Sequence, residues 1–475
     1  MIRLDAAELA ALVGGTLHGD GAVIVSGAVQ TDSRLVGAGD AFFALPGETT
    51  DGHRFAAAAA AAGAAVIVAE RPLDLEVPVV VVPDGVVALG ALAREVVARV
   101  RALGRLRVVG VTGSNGKTTT KNMLHAILST AGETVAPSGS FNNEVGAPIT
   151  MLRITDDTAF LVVEMGADAV GDVAKLVALS PPDVGIVLKV GTAHIGKFGS
   201  QEAIAEAKGE LVRDLPENAV AVLNRDDPLV QAMPTAANVR WFGLDGPDRP
   251  EDWSATDVRL SIDGTSFSLR HAGTSQPVQL RILGEHHVMN ALAALAAADA
   301  LDVRPAVGIP ALEAMDRAER WRMELLHAPD GVIVINDAYN ASPESTAAAL
   351  RTLAEITRGR TRSIAVIGEM AELGDFATES HDRIGRLAVR LNIDQLVVVG
   401  ERARPMFLGA QHEGSWGSEA VFAESNAAAY DVVRALLQPG DVVLVKSSKS
   451  AGLRHLGDRL AGVGESNPPA GEPTA

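Results

Sequence analysis

Along residues 106–317, short apolar runs at 106–109, 160–163, 183–190 and 219–223 alternate with stretches whose apolar residues recur every three to four positions. Strand-length runs separated by helical periodicity predict a doubly wound parallel sheet. Between 258 and 282 the rhythm changes to apolar–polar alternation about Asp263-Gly264, which predicts a hairpin. A helix is expected from near His287 through Leu295. After Arg317 a second alternating series places strands at 332–335, 363–367, 395–399 and 442–445, each followed by a helix. Before residue 106 the pattern predicts a helix near 6–13 and a strand at 79–82. The alanine-rich run 55–69 ends in Val66-Ile67-Val68, like a helix feeding a strand. The expected fold class is therefore α/β in three domains, 1–105, 106–317 and 318–463. The Pro-, Gly- and Glu-containing tail 464–475 is expected to be disordered. No internal repeat stands out.

Composition narrows the function. A net charge of −18 argues against nucleic-acid binding, because a basic surface would have to overcome that field. Anionic small molecules remain open if loops, lysines and a cation reverse the potential locally. With no cysteine, disulfides, zinc ribbons and thiol catalysis are excluded. The first residues lack a signal-peptide apolar core, and the run 55–69 is too short to span a bilayer, so a soluble, cytoplasmic protein without membrane insertion is expected.

The strongest local chemistry is Thr112-Gly113-Ser114-Asn115-Gly116-Lys117-Thr118-Thr119, between an apolar strand and a helical stretch. Glycines there let backbone N–H groups turn onto an anion, and the helix N-terminus adds its dipole. Lys117 is placed to reach terminal phosphates, and the Thr118 hydroxyl to hold Mg²⁺. The loop is shorter than the G-x-x-x-x-G-K-[ST] form. A nucleoside triphosphate is the expected ligand.

Further residues follow strand ends, on the edge of a parallel sheet where ligands bind. Glu164 closes the run 160–163 and could hold Mg²⁺, although a carboxylate there also suits an ordinary helix N-terminus. His194 lies past the run 183–190, and Lys208 sits on an amphipathic helix, where solvated lysines are common. Asn224-Arg225-Asp226-Asp227 loosely mimics a guanine-reading motif, but switch-like segments are lacking, so it reads as a strand-end turn. In the last third, Trp321-Arg322, the cluster Asp337-Ala338-Tyr339-Asn340-Ala341-Ser342-Pro343 and the cluster Gly368-Glu369-Met370-Ala371-Glu372-Leu373-Gly374 follow in order. Thr31-Asp32-Ser33-Arg34 and the segment from Leu45 to His53, with Gly47, have the composition of turns.

Together these residues resemble the Mur ligases, ATP-dependent amide ligases of peptidoglycan assembly, over nearly the whole chain. The 337–343 and 368–374 clusters resemble the branch that joins D-Ala-D-Ala to UDP-MurNAc-tripeptide. The resemblance implies an N-terminal domain for the UDP-sugar substrate, a central P-loop ATPase domain and a C-terminal Rossmann-like domain. It implies ATP held by Gly113–Thr119, Asn290 at adenine, Asp337 at ribose and Arg322 at the γ-phosphate. It implies two Mg²⁺ ions, shared among Thr118, Glu164, His194 and a CO₂-derived carbamate on Lys208. Ser33, Arg34, Gly47, Asn142, Asn143, Tyr339 and Asn340 would meet the substrates, and the chain would work as a monomer. Lys117, Glu164, His194, Lys208 and Arg322 would carry catalysis. Lys189, Trp321 and Ser447 depart from residues common in the family. The rival readings are a folylpolyglutamate-type or other acid–amino-acid ligase, a GTPase switch and a non-catalytic binding protein.

Overall fold

A computed structural model describes residues 1–47, 50–191, 195–244, 249–414 and 419–463. His194, Glu48, Thr49 and the tail 464–475 lie outside them. Among the described residues no helix is long and apolar enough to cross a membrane.

Besides a two-stranded antiparallel ladder of Leu4–Asp5 with Ile24–Val25, three larger sheets follow one another along the chain. The first has five strands in the order Thr16–His18, Val79–Val81, Val66–Ala69, Ala41–Phe43 and Val29–Gln30, parallel except for the first pair. The alanine run forms a helix only over Ala56–Ala61; Gly63 then takes φ +107 and turns the chain into Val66–Ala69. The helix Gly85–Ala102, capped by the Asp84 carboxylate, connects this sheet to the next.

The central sheet has nine strands. From Thr134–Val135 it runs through Phe160–Glu164, Arg107–Thr112, Val184–Val187, Val220–Asn224, Asn238–Gly243 and Trp253–Ser261, all parallel. Two antiparallel strands, Gly264–His271 and Thr274–Leu280, complete it. The region read as one hairpin is thus a three-stranded meander whose first turn is at Asp263-Gly264. The run 183–190 contributes a strand only over Val184–Val187; Leu188, Lys189 and Val190 leave the ladder toward the phosphate loop.

Chain order matters more than strand count here. After Arg107–Thr112 the chain adds strands on one side, Thr134–Val135 and Phe160–Glu164, and then returns to the other with Val184–Val187. The loop after Arg107–Thr112 therefore sits at the switch point of the sheet, where crossovers leave a crevice outside the carboxyl ends of the strands.

The third sheet runs Glu324–His327, Ile333–Asn336, Val442–Lys446, Ser363–Ile367, Gln395–Val399 and Ala420–Ala423, antiparallel only at the first pair. Its four central strands are buried on both faces, the pattern expected of parallel sheets covered by helices.

Candidate active site

The phosphate helix, Lys117–Leu128, starts immediately after Gly116. Gly116 holds φ +87, and a Cβ there would lie 2.5 Å from Asn290 Oδ1, so both backbone and space require glycine. That contact brings Asn290, buried on the helix His286–Ala300, against the loop. The Ser114 hydroxyl accepts from Gly191 N–H at 2.8 Å, and Ser114 N–H donates to Lys189 O at 2.8 Å. Lys189 itself points into solvent while its carbonyl does this structural work. Asn115 is half-buried and Thr119 buried beside them.

Lys117 Nζ donates to Gly113 O at 2.7 Å. Burial pulls its pKa below the usual lysine value; Arg322 adds repulsion and Glu164 opposes it. Thr118 Oγ1 donates to Glu164 Oε2 at 3.0 Å, and Asn142 Nδ2 donates to Glu164 Oε1 at 2.8 Å. Glu164 is 1% exposed. From the C-terminal sheet's side Arg322 brings a terminal guanidinium nitrogen to 3.4 Å from Thr118 Oγ1. Its guanidinium carbon lies 4.4 Å from the centre of the Tyr339 ring. Tyr339 Oη meets Ser140 Oγ at 3.1 Å. Residues from 113 to 339 thus converge on one crevice.

Lys208, on the helix Gln201–Arg213, is 4% exposed. Burial first, and the Lys117 charge second, lower its pKa to about 7. On the same helix the Glu210 carboxylate accepts from Ala174 N–H at 2.9 Å, at the start of the helix Asp172–Leu179.

Asp337 binds two ways. Its Oδ2 accepts from the buried Lys446 Nζ at 2.6 Å, and its Oδ1 from Met323 N–H at 3.0 Å. Lys446 also donates to Asn340 O at 3.0 Å. Asn143 is a local cap, accepting from Gly146 N–H at 2.9 Å. Trp321 is buried with its indole N–H on the Asp458 carboxylate, and Ser447 is buried with its hydroxyl on Ser448 O. Both departures from the family pattern are accommodated by packing.

The remaining candidates stand apart. Arg34 pairs with Asp32 at 2.6 Å on an exposed turn that includes Ser33, and Gly47 N–H donates to Thr50 O at 2.9 Å. Among the described residues no hydrogen bond or ion pair joins these three to the phosphate loop. The cluster 224–227 is absorbed structurally: Asn224 Nδ2 donates to Leu188 O at 2.7 Å and Asp227 Oδ2 accepts from Val190 N–H at 2.8 Å. It braces the loop leading toward residue 191. Two residues escape a reading of motifs: Lys121 and Ser140, whose roles depend on contacts far along the chain. The signal for Lys121 is a lysine in the first turns of a helix, where the dipole disfavours cations.

Among the described residues no group of three or more His, Asp or Glu could hold a metal ion. The Thr118 hydroxyl and the Glu164 carboxylate, 3.0 Å apart, fit Mg²⁺, which takes one or two protein oxygens and completes its shell with phosphates and water.

Fold and site together define a class: a phosphate-loop α/β enzyme whose following α/β domain delivers an arginine onto the loop. The profile of the Mur ligase middle domain matches residues 111–298, that of the Mur ligase glutamate ligase domain 321–449, and that of the Mur ligase catalytic domain 27–107. The chain belongs to the Mur ligase family. It is 41% identical to the UDP-N-acetylmuramoyl-tripeptide–D-alanyl-D-alanine ligase of Mycobacterium leprae, over 98% of this chain and 100% of that one. The ligase of the same name from Bacillus subtilis is 34% identical over 96% and 98%. The crystal structure of MurF from Acinetobacter baumannii superposes with a TM-score of 0.87 at 31% identity, covering 97% of this chain and 99% of that one. The MurF ligase of Thermotoga maritima, solved in complex with ADP, gives 0.80 at 29% identity over 92% and 98%.

Proposed function

We propose that the chain is an ATP-dependent amide ligase that joins D-Ala-D-Ala to UDP-MurNAc-tripeptide, yielding the pentapeptide precursor of peptidoglycan. The observation that carries this reading is the meeting of Thr118, Glu164 and Arg322 across the crevice between the central and C-terminal sheets. Relatives with that name along their full length support the choice of substrates.

In the reaction the tripeptide carboxylate attacks the γ-phosphorus of ATP. The bond to the ADP oxygen breaks, giving an acyl phosphate. The free amine of D-Ala-D-Ala then attacks the acyl carbon, the amide forms, and phosphate leaves with the amine's proton passing to solvent. Lys117 and Arg322 stabilise charge on the transferring group, the main lever in phosphoryl transfer. Thr118 and Glu164 would hold Mg²⁺, which would supply further neutralisation of the phosphates. Asn290 meets adenine, Asp337 the ribose, and Gly113–Thr119 the phosphates. Asn142, Asn143, Ser33, Arg34 and Gly47 serve the nucleotide sugar, and Tyr339 and Asn340 the peptide end. A closed crevice keeps water from the acyl phosphate.

An ammonium at Lys208 would repel a second cation, whereas a carbamate offers it two anionic oxygens. Carbamylation needs the neutral amine, and a pKa near 7 supplies it at physiological pH. Lys208 as carbamate and His194 are the protein groups assigned to that second ion. Domain limits near 105 and 317, a monomeric state and a cytoplasmic location complete the proposal.

Phosphate release should require ATP, Mg²⁺, UDP-MurNAc-tripeptide and D-Ala-D-Ala together. Turnover with a single amino acid or a folate, and none with the dipeptide, would move the chain to another ligase specificity. Isotopically labelled oxygen from the tripeptide carboxylate should appear in the released phosphate; its absence would rule out the acyl phosphate.

A further inference from the structure

Lys121 is 1% exposed, among the largest fully buried side chains of the molecule. It stands one turn after Lys117 on the phosphate helix. Three effects oppose a cation there: desolvation, the positive end of the helix dipole, and a like charge at i−4. Burial lowers its pKa, with Arg322 and Arg153 adding repulsion and Glu164 and Glu319 opposing them. An apolar side chain of the same length would avoid all three.

The compensation is specific. Nζ donates to Pro137 O at 2.7 Å and to Gly139 O at 3.3 Å. Residues 137–143 have no regular structure of their own, yet they touch both the central-sheet side of the crevice, at Glu164, and the C-terminal side, at Tyr339. Ser140 meets Tyr339, the ring under Arg322. Asn142 holds Glu164 by its side chain, and its carbonyl accepts from Gly166 N–H at 2.8 Å. Asn143 Oδ1 accepts from Gly146 N–H, the first residue of the helix Gly146–Met151.

We infer that Lys121 is a positioning residue: its ammonium pins the 137–139 backbone so that Asn142 orients Glu164 and Ser140 meets Tyr339. The inference rests on the proposed reaction for its kinetic consequence, but not for its structural one. It acts through the loop and touches no substrate.

The test is Lys121→Met, which keeps length and removes the donors. In ligand-free protein, hydrogen exchange of 137–143 should accelerate while Arg107–Thr112 and the phosphate helix stay protected. In the working enzyme the Mg²⁺ concentration for half-maximal turnover should rise by roughly 10–100-fold, the usual effect of loosening the partner of a metal-binding carboxylate. Combining Lys121→Met with Asn142→Ala should add nothing to the loss in Asn142→Ala alone. Unchanged Mg²⁺ dependence, additive losses, or faster exchange spread evenly over helix and sheet would overturn the inference. If Lys121→Met does not accumulate folded, Lys121→Gln, which keeps an amide donor on a shorter arm, should show the same changes at smaller size, and their absence would overturn the inference. Wild-type protein without dipeptide-dependent turnover would sink the proposed reaction and leave the exchange result to stand alone.

Discussion

Arg322→Lys offers the sharpest test of the proposed contact between the C-terminal domain and the nucleotide. The arginine is presented by backbone that L residues rarely adopt: Trp321 has φ +58 and Met323 φ +50. Strain of about 1–3 kcal/mol at each such residue persists only where neighbours over-determine it. They do so here. The Glu324 carboxylate accepts from Trp321 N–H at 2.9 Å, Asp337 from Met323 N–H, and Asp458 from the indole. The outcome is a guanidinium stacked on Tyr339 and aimed at Thr118. Lysine keeps the charge but loses the planar fork and the stack. The stack contributes about 0.5–1 kcal/mol. A second charge-assisted bond to phosphate contributes about 1.5–3 kcal/mol. Together they amount to about 2–4 kcal/mol, so turnover should fall roughly 30- to 1,000-fold at 1.36 kcal/mol per decade. Single-turnover phosphate transfer, with ATP affinity measured separately, separates the effects. The loss should fall on the transfer rate, with ATP affinity nearly unchanged. Tyr339→Leu also removes the Ser140 contact, so its loss should exceed the stacking share, and only the stacking share should vanish when it is combined with Arg322→Lys. A loss confined to ATP affinity, or no change in transfer rate, would refute the reasoning.

Three other outcomes follow from the same geometry. Gly116→Ala should destabilise the loop by about 1–3 kcal/mol through its positive φ and push Asn290 aside; unimpaired ATP affinity by titration would contradict the contact. Asp337→Ala should lower the stability of the C-terminal domain by about 3–5 kcal/mol, because Lys446 loses its counter-charge while buried. The double variant with Lys446→Met should recover most of that in thermal unfolding, and no recovery would argue against the pair. For Lys208 the folded pKa of about 7 lies below the ordinary lysine value of 10.5, so the unfolded chain binds more protons between them. Its penalty is therefore fully present below pH 7 and is relieved as pH rises toward 10.5. Lys208→Met should flatten that rise in melting temperature. Added bicarbonate should activate the wild type increasingly as pH passes 7, and a response independent of pH would count against carbamylation.

How much of this was legible in the sequence depends on how local each determinant is. The phosphate loop is local: glycine, lysine, threonine and the flanking periodicities lie within about one strand–loop–helix unit. Glu164 is nearly so, because the last residue of an apolar run must emerge at the sheet edge. The alanine run, read as a helix feeding a strand, is Ala56–Ala61 feeding Val66–Ala69; only where the helix ends was not legible from composition, because Gly63 sets it by its left-handed backbone. The helix Gly85–Ala102, unassigned by the sequence reading, is buried along one face by a sheet that its own residues do not specify.

Lys121 is the instructive failure. By local rules an exposed lysine on an amphipathic helix is the default, and only the packing of 137–143 makes it a buried one. That segment is irregular, so no periodicity announces it. Its place is dictated by the sheet's switch point, which puts the strand ending at Glu164 beside the one feeding the phosphate loop. The stretch leading from Thr134–Val135 into the helix before Glu164 must then run across the crevice. A chain crossing a crevice exposes backbone carbonyls to it, and a buried ammonium is one of the few side chains able to satisfy two at once. Positions that look like ordinary surface charge in sequence become site residues when the topology lays a loop over them.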